Sequence, residues 1–375
     1  MESGTIVRAA VARRPGADFD MEDLRLALPR PDEVAIRVSG VGICHTDLVA
    51  RDQIIPVPLP IVLGHEAAGI VEAVGAQVTD LSPGDKVVVS YSACGECRTC
   101  GEHEPAYCEK FGPLNFLGRR MDGSTALSDE NGPIGSHFFG QSSFCERIVA
   151  PRQNLVKVET QLPLSLLGPL GCGIQTGAGA IMHSLDCQAG SSVAIFGAGS
   201  VGMAAVLAAV ARRCATIVVV EPHRSRRELA LELGATHAID PTRGDPVAAV
   251  RAIRPEGLEF SLDVTGVPAA IEAAIGVLMK RGTCALVGAP QKAGQVVPLR
   301  FGMFVQNGHR LVGVMEGDSN PESFIPKLLE LQAAGQFPFE KLLTTYPFHA
   351  INQAIADQAA GLCLKPVLLM GDDQC

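Results

Sequence analysis

The chain has 375 residues, of which 47% are hydrophobic and 19% are charged, and it carries a formal net charge of −9. The length accommodates two domains with separate cores, and the apolar content excludes general disorder. A net acidic chain without a long basic block is a poor nucleic-acid binder, so we expect no nucleic-acid partner.

Neither the N-terminus nor any apolar segment has the pattern of a targeting or membrane sequence. MESGTIVRAAVARRPGADFD lacks a sustained apolar run after its first charges, which argues against a signal peptide. The longest apolar helix candidate, at 201–211, is about half the ~20 residues that a membrane span needs. We therefore expect a cytoplasmic protein without membrane contact. In that compartment the 12 cysteines favour metal ligands and buried thiols over a disulfide framework.

The first part of the chain, to about residue 170, is predicted to be rich in β-strands. Short apolar runs at 32–43, 65–75 and 84–90 are separated by Gly and Pro, a pattern that favours a partly open barrel over a helical bundle. From about residue 190, strands such as SSVAIF and ATIVVVE alternate with helical stretches, which predicts an α/β fold with a doubly wound parallel sheet. The terminal strand at 364–370 is expected to return to the first domain.

Two cysteines and a histidine lie far apart in the sequence but have similar surroundings. Cys44 lies in GICHTD, His65 in GHE and Cys172 in GCGIQTG, so each is flanked by glycines and polar groups. These side chains can bind metal, but their spacing alone does not bring them together. Each is equally consistent with an ordinary buried residue.

A short lobe contains four more cysteines at C-x2-C-x2-C-x7-C spacing: Cys94, Cys97, Cys100 and Cys108. Four thiolates can complete a tetrahedral shell around zinc and leave no open position, so this pattern predicts a structural zinc site. Disulfides are disfavoured by the reducing compartment and by the short loops. An iron–sulfur cluster is the stronger alternative.

The segment GAGSVG at 197–202 has a glycine pattern typical of dinucleotide-binding loops, and it lies between a predicted strand and a predicted helix. There Gly197 permits a tight turn, Gly199 a close approach to a pyrophosphate, and Gly202 close helix–strand packing. Glu221 ends the next strand and can accept hydrogen bonds from the adenine ribose, which favours NAD over NADP. Arginine accommodates a 2′-phosphate, so this preference is weakened by Arg224, Arg226 and Arg227. The alternative is an ordinary glycine-rich turn with Glu221 as a surface charge.

With these residues identified, the chain resembles the zinc-dependent medium-chain alcohol dehydrogenases, and most of all the bacterial aryl-alcohol (benzyl alcohol) dehydrogenases. The resemblance covers almost the whole chain and rests on GICHTD, GHEAAGIVEAVG, PGDKV, the four-cysteine lobe, GCGIQTG, GAGSVG and LELGAT. It implies a GroES-like, β-rich catalytic domain at 1–173, a Rossmann NAD-binding domain at 174–314 and a return to the catalytic domain at 315–375.

The resemblance also implies an oxidoreductase with two Zn2+ per chain, one catalytic and one structural, that acts on a small-molecule alcohol or aldehyde. The implied ligands of the catalytic zinc are Cys44, His65 and Cys172. Asp47 matches the carboxylate that orients the ligand histidine, Glu66 the acid near the metal, and Thr46 the hydroxyl that takes the alcohol's proton. The implied cofactor contacts are Gly197, Gly199, Val201, Gly202, Glu221, Arg226, Thr176, Val287 and, at the pyrophosphate, Lys365.

One position departs from the family pattern. Many relatives end the proton relay with a histidine five positions after the first zinc cysteine, where this chain has Val49. His45 directly follows that cysteine, and it either assists proton release or only binds the pyrophosphate.

The substrate pocket implied by the resemblance is wide, apolar and partly aromatic. Its positions, besides Thr46, are Ile55, Tyr91, Leu114, Phe138 and Phe139. Such a lining buries a ring or an isoprenoid chain at about 25 cal/mol per Å2 of apolar surface. We therefore predict primary aryl or allylic alcohols as substrates, with terpenoid alcohols as a close alternative. Simple core packing is the alternative role for Phe138 and Phe139.

Two other functions compete with this prediction. A glutathione-dependent formaldehyde dehydrogenase has the same fold, but it needs polar and basic pocket residues that these positions do not offer. A non-catalytic zinc-binding or redox-sensing protein is an alternative of a different class, and the complete cofactor motif argues against it. The stretch between Cys108 and Phe144 is long, as in the dimeric branch of the family that the chain resembles. The resemblance therefore implies a homodimer, with a homotetramer as the alternative.

Overall fold

The computed structural model describes residues 4–292 and 294–371. The chain divides into two compact units. The first contains residues 1–172, 320–327 and 343–375, and the second contains residues 173–319 and 328–342. The predicted return segment, 315–375, is therefore divided between the two units, because the helix that begins at Pro321 starts in the first unit and ends in the second.

The described part of the chain forms strands and helices whose bounds follow in chain order. The strands are β1 (Thr5–Ala12), β2 (Asp20–Leu26), β3 (Glu33–Gly42), β4 (Ile61–Val62), β5 (Ala67–Val74), β6 (Lys86–Val89), β7 (Leu127–Asp129), β8 (Gly132–Ile134), β9 (Arg147–Pro151), β10 (Leu155–Lys157), β11 (Ser192–Phe196), β12 (Thr216–Val220), β13 (His237–Ile239), β14 (Leu258–Asp263), β15 (Leu278–Leu286), β16 (Arg310–Gly313), β17 (Leu343–Pro347) and β18 (Lys365–Leu369). The helices are α1 (His45–Arg51), α2 (Arg98–Gly101), α3 (Phe111–Phe116), α4 (Gly173–Gly179), α5 (Ser200–Ala211), α6 (Arg224–Glu232), α7 (Pro246–Ile253), α8 (Pro268–Gly276), α9 (Phe301–Asn307), α10 (Pro321–Ala333) and α11 (Ile351–Ala359). Over these described residues, no helix combines the length and the apolarity that crossing a membrane requires.

The first unit is built on two sheets. One sheet has the strand order β10-β6-β5-β3-β18-β17, with β9 also paired to β3, and the other has the order β4-β1-β2-β7-β8. Alternate residues of β3, namely Val34, Ile36 and Val38, are buried, as expected for a strand with one face toward a core. β18 pairs antiparallel with β3, so the end of the chain completes this sheet. The predicted β-rich domain is confirmed.

The second unit contains six parallel strands in the order β13-β12-β11-β14-β15-β16. Every residue of β11 and β12 is buried, which is typical of strands covered by helices on both faces. The strand order reverses beside β11, since β12 and β14 lie on opposite sides of it. Ligands of such sheets bind beyond the carboxyl ends of the strands at this point. The predicted doubly wound parallel sheet is confirmed.

The carboxylate of Glu33 lies in a buried cluster at the start of β3. Its oxygens accept hydrogen bonds from Nε and Nη2 of Arg120, at 2.5 and 2.8 Å, and from the backbone N–H of Arg30 at 2.9 Å. Nε2 of His137 lies 3.5 Å from the same carboxylate. Burial alone would raise the pKa of Glu33, but these donors outweigh it and lower the pKa to about 2.

Because this pKa is lower in the folded chain than in the unfolded one, Glu33 stabilises the fold above about pH 4.5, and this contribution is lost as the pH falls toward 2. We expect Glu33→Gln to lower the free energy of unfolding by about 3 kcal/mol at pH 7 and by progressively less in acid. Urea unfolding between pH 7 and pH 3 measures the difference. As a control, Asp80→Asn in the exposed ion pair with Arg152 should cost less than about 1 kcal/mol. A Glu33→Gln effect that is constant over this pH range would contradict the assignment.

Candidate active site

The loop after β3 places a cysteine and an aspartate at the start of α1. Cys44 precedes the helix, and its backbone N–H donates to Oδ2 of Asp47 at 2.9 Å, which caps the first turn. Asp47 is fully buried, although a carboxylate is rarely buried without partners. The helix start therefore fixes the Cys44 thiol and the Asp47 carboxylate relative to each other.

The second oxygen of Asp47 orients His65. Oδ1 accepts the backbone N–H of Gly64 at 3.0 Å and lies 2.8 Å from Nδ1 of His65. His65 is buried, and among the described residues its Nε2 has no hydrogen-bond partner. Asp47 thus holds the imidazole in the tautomer with a proton on Nδ1, and the lone pair of the buried Nε2 is free for a metal.

The loops of the first unit bring the dispersed residues together. One ligand atom from each of Cys44, His65, Glu66 and Cys172 lies within 4.8 Å of the others. A hydrogen bond from the Cys172 thiol is the largest cause that lowers the pKa of Cys44, so Cys44 favours the thiolate form. Burial favours neutral His65, but the charges of Asp47 and Cys44 outweigh it and raise the imidazole pKa, so a metal at Nε2 would bind in competition with a proton. Two sulfur donors and an unpartnered imidazole nitrogen fit zinc.

Glu66, the fourth member of this cluster, forms a buried ion pair. Its carboxylate accepts from Nζ of Lys365 at 2.7 Å, and Nζ also donates to the carbonyl of Ile43 at 3.0 Å. Burial raises the pKa of Glu66 to about 7 although Lys365 opposes the rise. A Cβ at Gly42 would lie 2.1 Å from Oε2 of Glu66, so the first glycine of GICHTD leaves room for this carboxylate.

The position of Lys365 differs from our expectation of a pyrophosphate contact. The residue is 1% exposed, and its ammonium is committed to Glu66 and to a backbone carbonyl. No exposed ammonium is left for a pyrophosphate. The sequence could not reveal this pairing, because the two residues are 299 positions apart.

The remaining residues of GICHTD differ in exposure. His45 is exposed at the first position of α1, whereas Thr46 is half-buried with Oγ1 3.7 Å from the sulfur of Cys44. Val49, at the position where many relatives have a relay histidine, is 3% exposed and belongs to the buried side of the helix. Thr46 therefore supplies the hydroxyl beside the cluster. A buried valine occupies the position of the relay histidine.

The five predicted pocket positions fall into two groups. Tyr91, Phe138 and Phe139 are buried in the core of the first unit, whereas Ile55 and Leu114 are half-buried. The Phe139 ring stacks on His65 with centroids 4.4 Å apart, and the Phe138 ring meets it edge-on at 5.6 Å. The two phenylalanines thus pack against the imidazole. They belong to the core and also lie beside the candidate metal site.

The four-cysteine lobe is assembled in space as its spacing predicts. One sulfur from each of Cys94, Cys97, Cys100 and Cys108 lies within 4.8 Å of the others. The backbone N–H groups of Cys94 and Lys110 donate to the sulfur of Cys108 at 3.2 and 3.4 Å, as expected around a thiolate. A hydrogen bond from Thr99 is the largest cause that lowers the pKa of Cys97 to about 5. These donors fit a closed tetrahedral metal site.

In the second unit, GAGSVG connects β11 to α5. Gly197 has φ +95°, a conformation that favours glycine, and a Cβ at Gly202 would lie 2.0 Å from the Gly197 carbonyl oxygen. A Cβ at Gly199 would meet no atom within 4 Å, so its backbone borders open space. Val201, in the first turn of α5, is half-buried. Gly197 thus forms the turn, Gly199 leaves space for a ligand to approach the backbone, and Gly202 makes the tight packing contact.

Glu221 is tied to the same loop. It is 3% exposed, and its carboxylate accepts the backbone N–H of Ala198 at 2.7 Å and of His223 at 2.9 Å. Arg227 pairs with Asp240 at 2.9 Å. Arg224 pairs with Glu228 instead, and Arg226 is half-buried without a salt bridge among the described residues. The carboxylate of Glu221 therefore stands beside the glycine loop.

Two further cofactor candidates lie elsewhere in the second unit. Thr176 in α4 donates from Oγ1 to Glu316 at 3.3 Å, and Val287 follows β15 with its N–H on the Asp263 carbonyl at 2.9 Å. Gln141 was not predicted as a site residue, yet its Nε2 donates to the His65 carbonyl at 3.0 Å. No spacing or motif signals this contact.

Two family models match the chain. The alcohol dehydrogenase GroES-like domain matches residues 30–160, and the zinc-binding dehydrogenase model matches residues 200–333. The geraniol dehydrogenase of Castellaniella defragrans is 49% identical over 364 residues, which are 96% of this chain and 97% of that protein.

Two solved structures are similar over nearly the whole chain. An alcohol dehydrogenase zinc-binding domain protein from Burkholderia ambifaria has a TM-score of 0.96 at 50% identity, covering 98% of this chain and 100% of that one. The benzyl alcohol dehydrogenase of Acinetobacter calcoaceticus has a TM-score of 0.95 at 44% identity, with the same coverage.

Proposed function

Because this chain belongs to the zinc-dependent medium-chain alcohol dehydrogenases, we propose that it transfers a hydride between NAD and a primary aryl or allylic alcohol or its aldehyde. The observation that carries the proposal is the cluster of half-buried Cys44 with buried His65 and Cys172, in which Asp47 is bound to the imidazole. Three protein ligands leave one position of a tetrahedral zinc for the alcohol oxygen, as a catalytic site requires.

Each residue of this cluster has a distinct task in the proposal. When bound, zinc supplies a Lewis acid for the alcohol oxygen, and NAD supplies the hydride acceptor. Asp47 keeps the proton of His65 on Nδ1, so that Nε2 would be the nitrogen that binds the metal. Thr46 would accept the alcohol proton at Oγ1 and pass its own hydroxyl proton to the cofactor ribose, from which it leaves to water. The exposed His45 either assists this release or only binds the cofactor phosphates. Glu66, neutralised by Lys365, completes the polar wall behind the ligands.

We assign the second metal to the four-cysteine lobe. Four sulfurs within 4.8 Å of one another support a closed site with a structural role. The chain would thus bind two zinc ions. An iron–sulfur cluster at the lobe would instead give visible absorption and iron in the purified protein.

The cofactor proposal rests on the second unit. The pyrophosphate would bind at the start of α5, where the loop contains Gly197, Gly199 and Gly202. The other parts of the dinucleotide would contact Val201, Thr176, Val287 and Arg226. The buried carboxylate of Glu221 would accept the ribose hydroxyls and repel a 2′-phosphate. This charge is the reason to propose NAD rather than NADP.

Glu221→Gln tests that choice. We expect the ratio of kcat/KM with NAD to kcat/KM with NADP to fall about 10-fold or more, because one lost charge-assisted hydrogen bond is worth about 1.5–3 kcal/mol. Initial rates with each cofactor measure the ratio. Glu232→Gln, an exposed change at the end of α6, is the matched control and should leave it unchanged. If Glu221→Gln behaves like this control, the ribose assignment is wrong.

The substrate proposal draws on two relatives. A geraniol dehydrogenase is 49% identical and a benzyl alcohol dehydrogenase is 44% identical, so an allylic terpenoid alcohol and an aryl alcohol are both candidates. The apolar lining proposed from Ile55, Tyr91, Leu114, Phe138 and Phe139 suits either. A hydrophilic polyol would lose about 1–3 kcal/mol for each hydroxyl left unpaired there.

A panel of alcohols tests this proposal through kcat/KM. We expect benzyl alcohol, cinnamyl alcohol and geraniol to exceed ethanol by about 100-fold or more, because the apolar lining favours larger chains by about 0.8 kcal/mol per buried CH2. Equal values for ethanol and benzyl alcohol would contradict the pocket assignment. Preference for the formaldehyde–glutathione adduct would instead favour the glutathione-dependent activity.

We further propose a homodimer formed through the edge of the second unit. β16 is the last strand of the parallel sheet, and α9 just before it has no buried residue. Phe301, Met303 and Val305 of that helix are 72%, 56% and 61% exposed. An apolar edge of this kind is unfavourable in water, and a second copy would cover it. Sedimentation should give twice the chain mass, whereas a monomer would exclude this contact and a tetramer would require a second one.

A further inference from the structure

We infer that the turn at residues 138–142 is a positioning element for His65, and that Phe139 fixes the plane of the imidazole ring. This inference rests on the proposed function in that His65 serves as a zinc ligand. It assigns Phe139 a second task in addition to the pocket lining proposed above. Phe139 acts through His65 and is therefore a positioning residue.

The side chains of the turn hold the imidazole from two directions. Phe139 lies almost parallel to the His65 ring, with an interplanar angle of 23° and centroids 4.4 Å apart. Phe138 meets the same ring edge-on, at 78° and 5.6 Å. The hydrogen bond from Nδ1 to Asp47 anchors one edge of the imidazole but lets the ring pivot about that bond. A ring stacked on one face opposes this pivot because any rotation separates the two planes.

The same turn also binds the backbone of His65. Nε2 of Gln141 donates to the His65 carbonyl at 3.0 Å, and Oε1 of Gln141 accepts the N–H of Ala67 at 3.3 Å. The N–H of Ser143, just after the turn, donates to the Gly64 carbonyl at 2.9 Å. Main chain and ring of His65 are thus held by one short segment.

The backbone of Phe139 is in a conformation that bulky side chains rarely adopt. Its φ is +51°, and such left-handed residues persist only where the surroundings enforce them. Here Nδ2 of Asn154 donates to the Phe139 carbonyl at 3.0 Å, and Oδ1 of Asn154 accepts from Ser92 at 2.8 Å. A Cβ at the following Gly140 would lie 2.2 Å from Oγ of Ser92. These contacts hold the strained turn in its conformation. The turn in this conformation places the Phe139 ring against His65.

Phe139→Leu removes the stacked ring and keeps an apolar side chain in the core. Mutation of a residue that orients a metal ligand typically lowers the metal affinity by about 10–100-fold. We therefore expect zinc at the Cys44–His65–Cys172 cluster to be lost to 1,10-phenanthroline about 10-fold faster or more, while the four-cysteine lobe keeps its zinc. Zinc per chain, followed over time after the chelator is added, gives both rates.

Two matched variants separate positioning from packing. Phe116→Leu removes a ring whose centroid lies 5.3 Å from that of Phe139. Among the described residues, the Phe116 ring makes no ring contact with His65. Phe139→Tyr keeps the ring that stacks on His65. Both should lose zinc at a rate close to that of the unmodified chain. Urea midpoints of all three variants show whether Phe139→Leu unfolds more easily than Phe116→Leu.

Two results would overturn the inference. One is a Phe139→Leu chain that retains zinc as long as Phe116→Leu and changes only KM for the alcohol, which would leave Phe139 with the pocket role alone. The other is a Phe139→Tyr chain that loses zinc as fast as Phe139→Leu despite its ring. A chain with unmodified sequence that binds a single zinc would contradict the proposed function itself, a result distinct from either of these.

Discussion

Cys172→Ser is expected to lower the zinc content from two ions per chain to one and to reduce kcat by about 1,000-fold or more. The change removes one of the two sulfur donors in the cluster with His65, and a hydroxyl is a poor replacement for a thiolate as a zinc ligand. Without the metal, the alcohol proton leaves from an unassisted hydroxyl, and several kcal/mol of transition-state stabilisation are lost. Zinc analysis and initial rates with benzyl alcohol measure the two effects.

Cys214→Ala is the matched control for this experiment. Cys214 is half-buried in the second unit and belongs to neither metal-ligand cluster. Its removal should leave the zinc content at two and kcat within about 2-fold of the unmodified chain, as for most changes away from functional groups. A Cys172→Ser chain that keeps both zinc ions and full turnover would show that this cysteine is an ordinary buried residue.

Lys365→Met is expected to destabilise the chain by about 3–5 kcal/mol, because it leaves the carboxylate of Glu66 buried without its cation. Both partners are essentially buried, at 1% and 0% exposure, so solvent does little to compensate. Urea unfolding of the zinc-loaded protein measures the loss. The loss should be accompanied by weaker zinc retention, since Glu66 belongs to the same cluster as His65.

The double variant Lys365→Met, Glu66→Gln distinguishes an ion pair from simple packing. Removing both charges eliminates the unpaired carboxylate, so we expect the double variant to recover most of the stability lost in Lys365→Met. If the two changes were instead additive, the contact between Lys365 and Glu66 would contribute only through side-chain volume.

The sequence was sufficient where function depends on short spacing. The cysteines of the lobe lie within 15 consecutive residues, and their sulfurs converge as the spacing predicted. GAGSVG likewise predicted the strand–turn–helix at β11 and α5, because the roles of its glycines are local: Gly197 takes a positive φ and Gly202 leaves no room for a Cβ.

The sequence was insufficient where contacts join distant segments. Gln141 and His65 are 76 positions apart, and Lys365 and Glu66 are 299 apart, so no periodicity links them. The resemblance supplied Cys44, His65 and Cys172 as a set, which spacing alone could not assemble. It also suggested a pyrophosphate contact for Lys365, which the buried pair with Glu66 does not support. The resemblance named Phe139 as a pocket position, with core packing as the alternative. It did not reveal the stacking on His65, because stacking depends on a backbone conformation that no motif encodes.

The most direct test of the proposed function is NADH formation from benzyl alcohol before chelation, after removal of zinc, and after zinc is restored. The cluster of Cys44, His65 and Cys172 predicts a rate that falls to the uncatalysed level without zinc and returns when zinc is added. A chain that oxidises benzyl alcohol at an undiminished rate after both metal sites are empty would contradict the proposed zinc-dependent activity.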